Sequence, residues 1–192
     1  MKKFLMLAVV VCMSLTLCGL AYADLNGATY THVFVNVVPN IAVSPMLSNV
    51  DLGTVQTGAF GSGVTFRIDA NTEKVKFMAG VSQLYKGDVT TNPIVEPIAV
   101  GGGGVVMTAE QANPINGHSS TAAFVGDPTD ILGTGYIGNV TEWVTFESAQ
   151  NNHFSQSITL TPTWVQANPE KPIGEYSGVV ALWAMVVPVG GE

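Results

Sequence analysis

The sequence predicts an all-β protein built as an antiparallel sandwich, and three observations carry that reading. Apolar residues recur with a period of two, and a sustained i, i+3, i+4 pattern is missing. Clusters of Gly, Pro, Asn and Asp break the chain at short intervals, the spacing of strands joined by turns rather than of alternating β-α units. The two ends also match. An alternating segment, Val33-Phe34-Val35-Asn36-Val37, opens the chain after its leader, and an apolar run over 179–187 closes it.

Residues 1–23 have the layout of a signal peptide. Lys2 and Lys3 form the basic start, 4–20 the apolar stretch, and Ala21-Tyr22-Ala23 a small-x-small cleavage site, so Asp24 is the expected mature N-terminus. Cys18 follows Leu17, whereas lipidation wants a small residue there, so the cysteine is not read as a lipid anchor. Cleavage leaves 169 residues as one domain, 24–192, with an N-terminal extension or strand over 24–38. Both cysteines, Cys12 and Cys18, leave with the leader, and with them any disulfide or thiolate metal site. Five basic side chains then face fourteen acidic ones, a formal balance of −9 that argues against nucleic acid and anionic lipid as partners. The apolar run at the C-terminus is too short to cross a membrane as a helix, so no span is expected in the mature chain.

The elements follow in order. Val33, Val35 and Val37 share one face of an extended strand. Pro39-Asn40 interrupts, Ile41 to Val43 resumes, and a further strand is expected over 52–56. Residues 58–63 read as a flexible turn. In Val64-Thr65-Phe66-Arg67-Ile68-Asp69 the odd-spaced Val64, Phe66 and Ile68 point inward, and after the polar turn Asn71-Thr72-Glu73-Lys74 the strand Val75-Lys76-Phe77-Met78-Ala79 returns. Pro93 and Pro97 confine Ile94-Val95 to an edge strand at most. Residues 101–104 are four glycines, read as a flexible loop, and 108–112 fit a single helical turn. From 111 to 138 the composition predicts a long loop with short strands. Strands resume over 140–146, in a register the pattern leaves open, and over 157–161. Asn168-Pro169-Glu170-Lys171-Pro172 is a stiff connector, and the last run, 179–187, reads as a strand buried on both faces with Trp183 in the core.

The segment Gly174-Glu175-Tyr176-Ser177-Gly178-Val179-Val180-Ala181-Leu182 resembles the closing strand of chaperone–usher pilins of the colonisation-factor class, and Val33 to Val37 followed by Val38-Pro39-Asn40-Ile41 is similar to their mature N-terminus. Related secreted spore-coat and fimbrial sandwich proteins carry similar terminal strands. The resemblance covers about a fifth of the mature chain, at its two ends. It implies an immunoglobulin-like sandwich lacking one strand, completed by the N-terminal strand of the next copy. Val33, Val35 and Val37 would be the donor knobs, and Tyr176, Val179, Leu182 and Trp183 would belong to the acceptor strand. It also implies self-association into polymers, a periplasmic chaperone and an usher as partners, and a path through the periplasm to the cell surface. A slip of one residue would present Phe34 instead of the valines, and pairing of the first strand within its own sandwich is the competing expectation.

Sites for chemistry are scarce. His32, His118 and His153 stand at no metal-ligand spacing. Ser62 in Gly61-Ser62-Gly63 lacks the full nucleophile elbow. The four glycines have no following Lys-Ser/Thr to cradle phosphate. Asp127-Pro128-Thr129-Asp130 offers calcium two carboxylates where six to eight oxygens are needed. Asn139-Val140-Thr141 matches a glycosylation triplet by chance. No enzyme, cofactor or metal is expected. The alternative function is a self-contained monomeric periplasmic or extracellular module binding a glycan, for which Trp164, in Thr161-Pro162-Thr163-Trp164, is the candidate stacking platform.

Overall fold

The computed structural model of the chain describes residues 33–35, 37–115 and 120–187, with the backbone alone at Asp127. The expected leader, Asp24, His32, Asn36 and His118 lie outside them. The chain divides into two compact units, Met1–Val37 and Val38–Glu192. In the first unit, Val33, Phe34, Val35 and Val37 belong to no strand and are exposed.

The second unit begins where Asn71 grips the incoming chain. Its Oδ1 accepts from the Asn40 amide at 2.7 Å and its Nδ2 donates to the Val38 carbonyl at 2.9 Å. Strand β1 (Ile41–Pro45) then pairs antiparallel with β3 (Val64–Ala70), setting Ile41, Val43 and Pro45 opposite Ala70, Ile68 and Phe66. After β2 (Gly58–Phe60) and β3 comes β4 (Lys74–Ser82), followed by the short β5 (Tyr85–Lys86) and the long β6 (Ala99–Ala109). Next are β7 (Ala112–Pro114), β8 (Thr121–Asp130), a 3-10 turn at Ile131–Gly133, β9 (Ile137–Thr141) and β10 (Val144–Ser148). The chain closes with β11 (Phe154–Gln166), β12 (Tyr176–Ser177) and β13 (Val180–Val186).

These strands make a two-layer, all-antiparallel sandwich. One layer runs β1-β3-β11-β6, with β2 beside the end of β11. In the other, β4 pairs along its length with β13 on one side and with β10 and β9 on the other. Strand β8 belongs to both layers: 121–123 pair with β6 and 124–130 with β9. Strands β1, β3, β11 and β6 occupy the A, B, E and D positions, and β13 and β4 the F and C positions, of an immunoglobulin constant-type sandwich. The core sits between the layers. Phe77 from β4 meets Phe146 of β10 (ring centroids 5.7 Å apart) and Phe154 of β11 (5.5 Å), all three fully buried. Side chains of this class each contribute about 1.5–3 kcal/mol through burial.

Several expectations are corrected here. The segment 52–56 is not a strand, although Leu52 packs on the core. Residues 58–60 of the supposed turn pair with β11. Residues 108–112 are not helical: they hold the end of β6, a bend at Glu110-Gln111 and the start of β7. The supposed loop over 111–138 holds β7, β8 and the start of β9. The supposed single strand over 140–146 breaks at Glu142-Trp143 into β9 and β10. The four glycines are part of β6, and the outer two are close-packed: a Cβ on Gly104 would stand 2.0 Å from the Ala122 carbonyl oxygen, and one on Gly101 2.5 Å from Val165. Gly104→Ala is therefore expected to cost about 2 kcal/mol by forcing β6 from β8, lowering the thermal midpoint by roughly 4–8 °C in a melt followed by circular dichroism.

Candidate functional site: the free edge of the last strand

The most unusual feature of the sandwich is β13. It pairs with β4 in the register Val180 opposite Val81 through Val186 opposite Val75, and among the described residues no strand pairs with its other edge. In the immunoglobulin order this is the place of the seventh strand, G, beside F. The edge also has its hydrogen-bonding groups set outward. Ser82 N donates to the Val179 carbonyl and Val187 N to the Lys74 carbonyl, both at 3.0 Å. Alternation along an antiparallel ladder then turns the N–H and C=O of Val180, Leu182, Ala184 and Val186 toward the open side.

The same four residues present the inward side chains, since Leu182 lies opposite the core residue Ala79 and Ala184 opposite Phe77. They pack against the core yet remain half-buried. Across the mouth between the layers lies β1, the edge strand of the first sheet. Its Val43 shares a face with Ile41 and is opposite Ile68, so it points inward, but it is 38 % exposed. An inward-facing valine is thus left partly open beside a half-covered apolar strand whose other edge is unpaired among the described residues.

The lead-in to β13 is tightly fixed, which explains the residues around it. Ser82 is buried and works with four groups: its N–H and Oγ hold the Val179 carbonyl and amide, Oγ donates to the Gln83 carbonyl at 2.8 Å, and its carbonyl accepts from Trp164 Nε1 at 2.8 Å. Gly178 is required at this crossing, because a Cβ there would sit 2.5 Å from Ser82 Oγ and 2.6 Å from the Gln83 carbonyl oxygen. Strand β12 pairs with β5, and the Tyr176 hydroxyl donates to the Pro172 carbonyl at 2.8 Å. Lys171 reaches back to the Glu96 carbonyl at 2.6 Å and lies 5.9 Å from the Tyr176 ring centre.

Asp88 fastens the same region. It accepts hydrogen bonds from the Ser177 hydroxyl and from the Tyr136 hydroxyl, the latter at 2.6 Å. Those two bonds, Ser177 first, hold its carboxyl below the usual range, and the bond to Asp88 raises the Tyr136 phenol. A carboxyl lowered by folding stabilises above its unfolded pKa, and that contribution is lost as pH falls through the folded value. The melting difference between the native chain and Asp88→Asn is thus expected to be largest near neutral pH and to close below the ordinary carboxylate range, as checked by melts at pH 7 and pH 3.

Of the residues singled out in the sequence, Leu182 and Trp183 are on β13, Val179 immediately precedes it, and Tyr176 stands on β12. The expectation that this run is buried on both faces is corrected: it is an edge strand. Trp183 is not core but half-buried on the outer face, leaning over Gly80 and Ile131. Trp164, the candidate sugar platform, is 2 % exposed, stacked on Phe60 at 6.2 Å, and unavailable to a ligand. Ile41 and Val43, the other bank of the mouth, were not singled out as lining it, because nothing local to Ile41-Ala42-Val43 says what faces it across the mouth.

Elsewhere the surface offers less. An open cleft of about 580 Å³ lies on the outer face of the first sheet between Met46-Leu47 and the row Thr65, Thr159 and Thr108, but the Thr65 and Thr159 hydroxyls are bonded to each other at 3.0 Å. Among the described residues, no three His, Cys, Asp or Glu side chains gather as a metal site, and no helix is long and apolar enough to cross a membrane. His153 Nδ1 lies 2.9 Å from the Asn151 carbonyl oxygen, outside any such grouping. No family model matches the chain, and no curated protein matches its sequence.

Proposed function

We propose that this chain is a structural subunit of a surface fibre or pilus, without catalytic activity, that assembles by donor-strand exchange. The single observation that supports this most is the edge of β13 facing the seventh-strand position, unpaired among the described residues, with half-buried inward residues beneath it. The donor in this reading is the segment 24–38 of another copy, whose Val33, Val35 and Val37 enter the slot while its backbone completes the ladder. An added strand hides an edge that otherwise invites aggregation. A head-to-tail contact of this kind, when it does not close, generates a filament. The resemblance of both termini to chaperone–usher pilins supports the same reading, and brings with it a periplasmic chaperone that covers the slot in transit, an usher, and a final position on the cell surface.

The test is electrophoresis of the purified mature chain without heating, beside size-exclusion chromatography. The fibre reading expects ladders that survive detergent and collapse on boiling, and their loss when residues 24–38 are deleted. A sharp monomer peak at every concentration, unchanged by that deletion, would reject it in favour of the self-contained binding module.

A further inference from the structure

The outer face of the second sheet carries an apolar strip beside the open edge. The register sets Trp183 opposite Met78 and Met185 opposite Lys76, on the side away from the core. Lys76 Nζ in turn lies 5.4 Å from the ring centre of Trp143. Trp183 leans over β4 because Gly80 leaves room for it, where a Cβ would stand 2.7 Å from the indole. Met185 is 47 % exposed at the very edge.

A strand's side-chain period of two does not depend on its direction. If Val33, Val35 and Val37 face the core, Phe34 faces outward at the same edge, and in the free chain Phe34 is 88 % exposed. We propose that Phe34 of one copy seats beside Trp183 on the outer face of the next and thereby sets the register in which the three valines enter. This inference rests on the donor-strand reading above. The numbering supports Trp183 over its outward neighbours Ala181 and Met185. With Phe34 opposite Trp183, Val33 and Val35 fall opposite Leu182 and Ala184, and Val37 falls opposite Val180 or Val186 according to strand direction. Of the three outward positions, only Trp183 keeps all three valines opposite β13 in both directions. An aromatic pair adds to affinity beyond the area it buries, and it is worth most when its geometry is specific.

The test uses the full mature chain carrying Val35→Asp, which keeps its acceptor slot but cannot serve as donor. Synthetic peptides spanning residues 30–40 are titrated into it by calorimetry. Replacing Phe34 by Ala in the peptide is expected to weaken binding about tenfold. On a chain that also carries Trp183→Ala the two peptides should bind equally. Trp183→Leu, which still covers Gly80 and Ile131, serves in the same cycle if the alanine variant does not fold. A Phe34→Ala peptide that binds as tightly as its parent, while a Val35→Asp peptide does not bind, overturns the proposal and leaves donor-strand exchange standing. An equal loss on the Trp183 chain and its variants would put Phe34 in the slipped, inward register and overturn it too. Failure of the parent peptide to bind at all would fell donor-strand exchange, and this inference with it.

Discussion

Val35→Asp should abolish detergent-resistant ladders while leaving the folded subunit intact. In the donor-strand reading, a valine side chain buried in the slot contributes about 1.5–3 kcal/mol, which the substitution removes. It also carries an ionised carboxyl into an apolar groove whose lining side chains, Ile41, Val43, Leu182 and Ala184, offer no charge to pair with it, at a further cost of several kcal/mol. The sum, about 5 kcal/mol or more, is three to four decades in an association constant. In the free chain Val35 is 83 % exposed and in no strand, so the subunit's own stability should move by no more than about 0.5 kcal/mol. The measurement is a pair: unheated electrophoresis for assembly, and circular-dichroism melts below the assembling concentration for the fold. Ladders of unchanged heat stability would mean that Val35 does not enter the slot. A lowered melting midpoint in the dilute monomer would mean that it packs within its own molecule.

Much of the sandwich was legible where one face is core and the other solvent. Val64, Phe66 and Ile68 alternate with polar neighbours, and β3 and β4 sit where that pattern puts them, with Asn71-Thr72-Glu73 between. The signal failed where a strand does something other than alternate. Strand β6 contains four consecutive glycines, which locally mean flexibility, and only the approach of the Ala122 backbone to Gly104 and of Val165 to Gly101, known from the fold, makes those two a packing device. Strand β8 changes layer between Ala123 and Phe124 and then shifts its register against β9 between Val125 and Thr129, across Gly126-Asp127-Pro128, so its sequence looks like a turn. Strand β11 continues through Pro162, which carries no N–H, by shifting its register against β6 between Thr161 and Thr163. The site was half legible for the same reason. The apolar run over 179–187 announces a strand, but whether such a run is covered on two sides depends on its neighbours. The composition of Val180 to Val186 is that of a central strand, and its place in the sheet is at the edge.

Trp164→Ala should be the most damaging single change within the sandwich, and its outcome separates packing from ligand binding at that residue. The indole is stacked on Phe60 and almost wholly enclosed, so truncation opens a large cavity that costs about 3–5 kcal/mol. For a domain of this size that is roughly 6–20 °C in the melting midpoint. The change also takes the donor from the Ser82 carbonyl, on the residue whose N–H and Oγ hold Val179 at the start of β13. In the donor-strand reading, assembly should therefore weaken along with stability, because the start of β13 loses its anchor. Trp164→Phe refills much of the cavity but leaves the Ser82 carbonyl without its partner, and should cost about 1–3 kcal/mol. The two variants together divide packing from the hydrogen bond. A chain with Trp164→Ala that melts like the native protein would contradict the buried placement and return Trp164 to the surface as a candidate sugar platform.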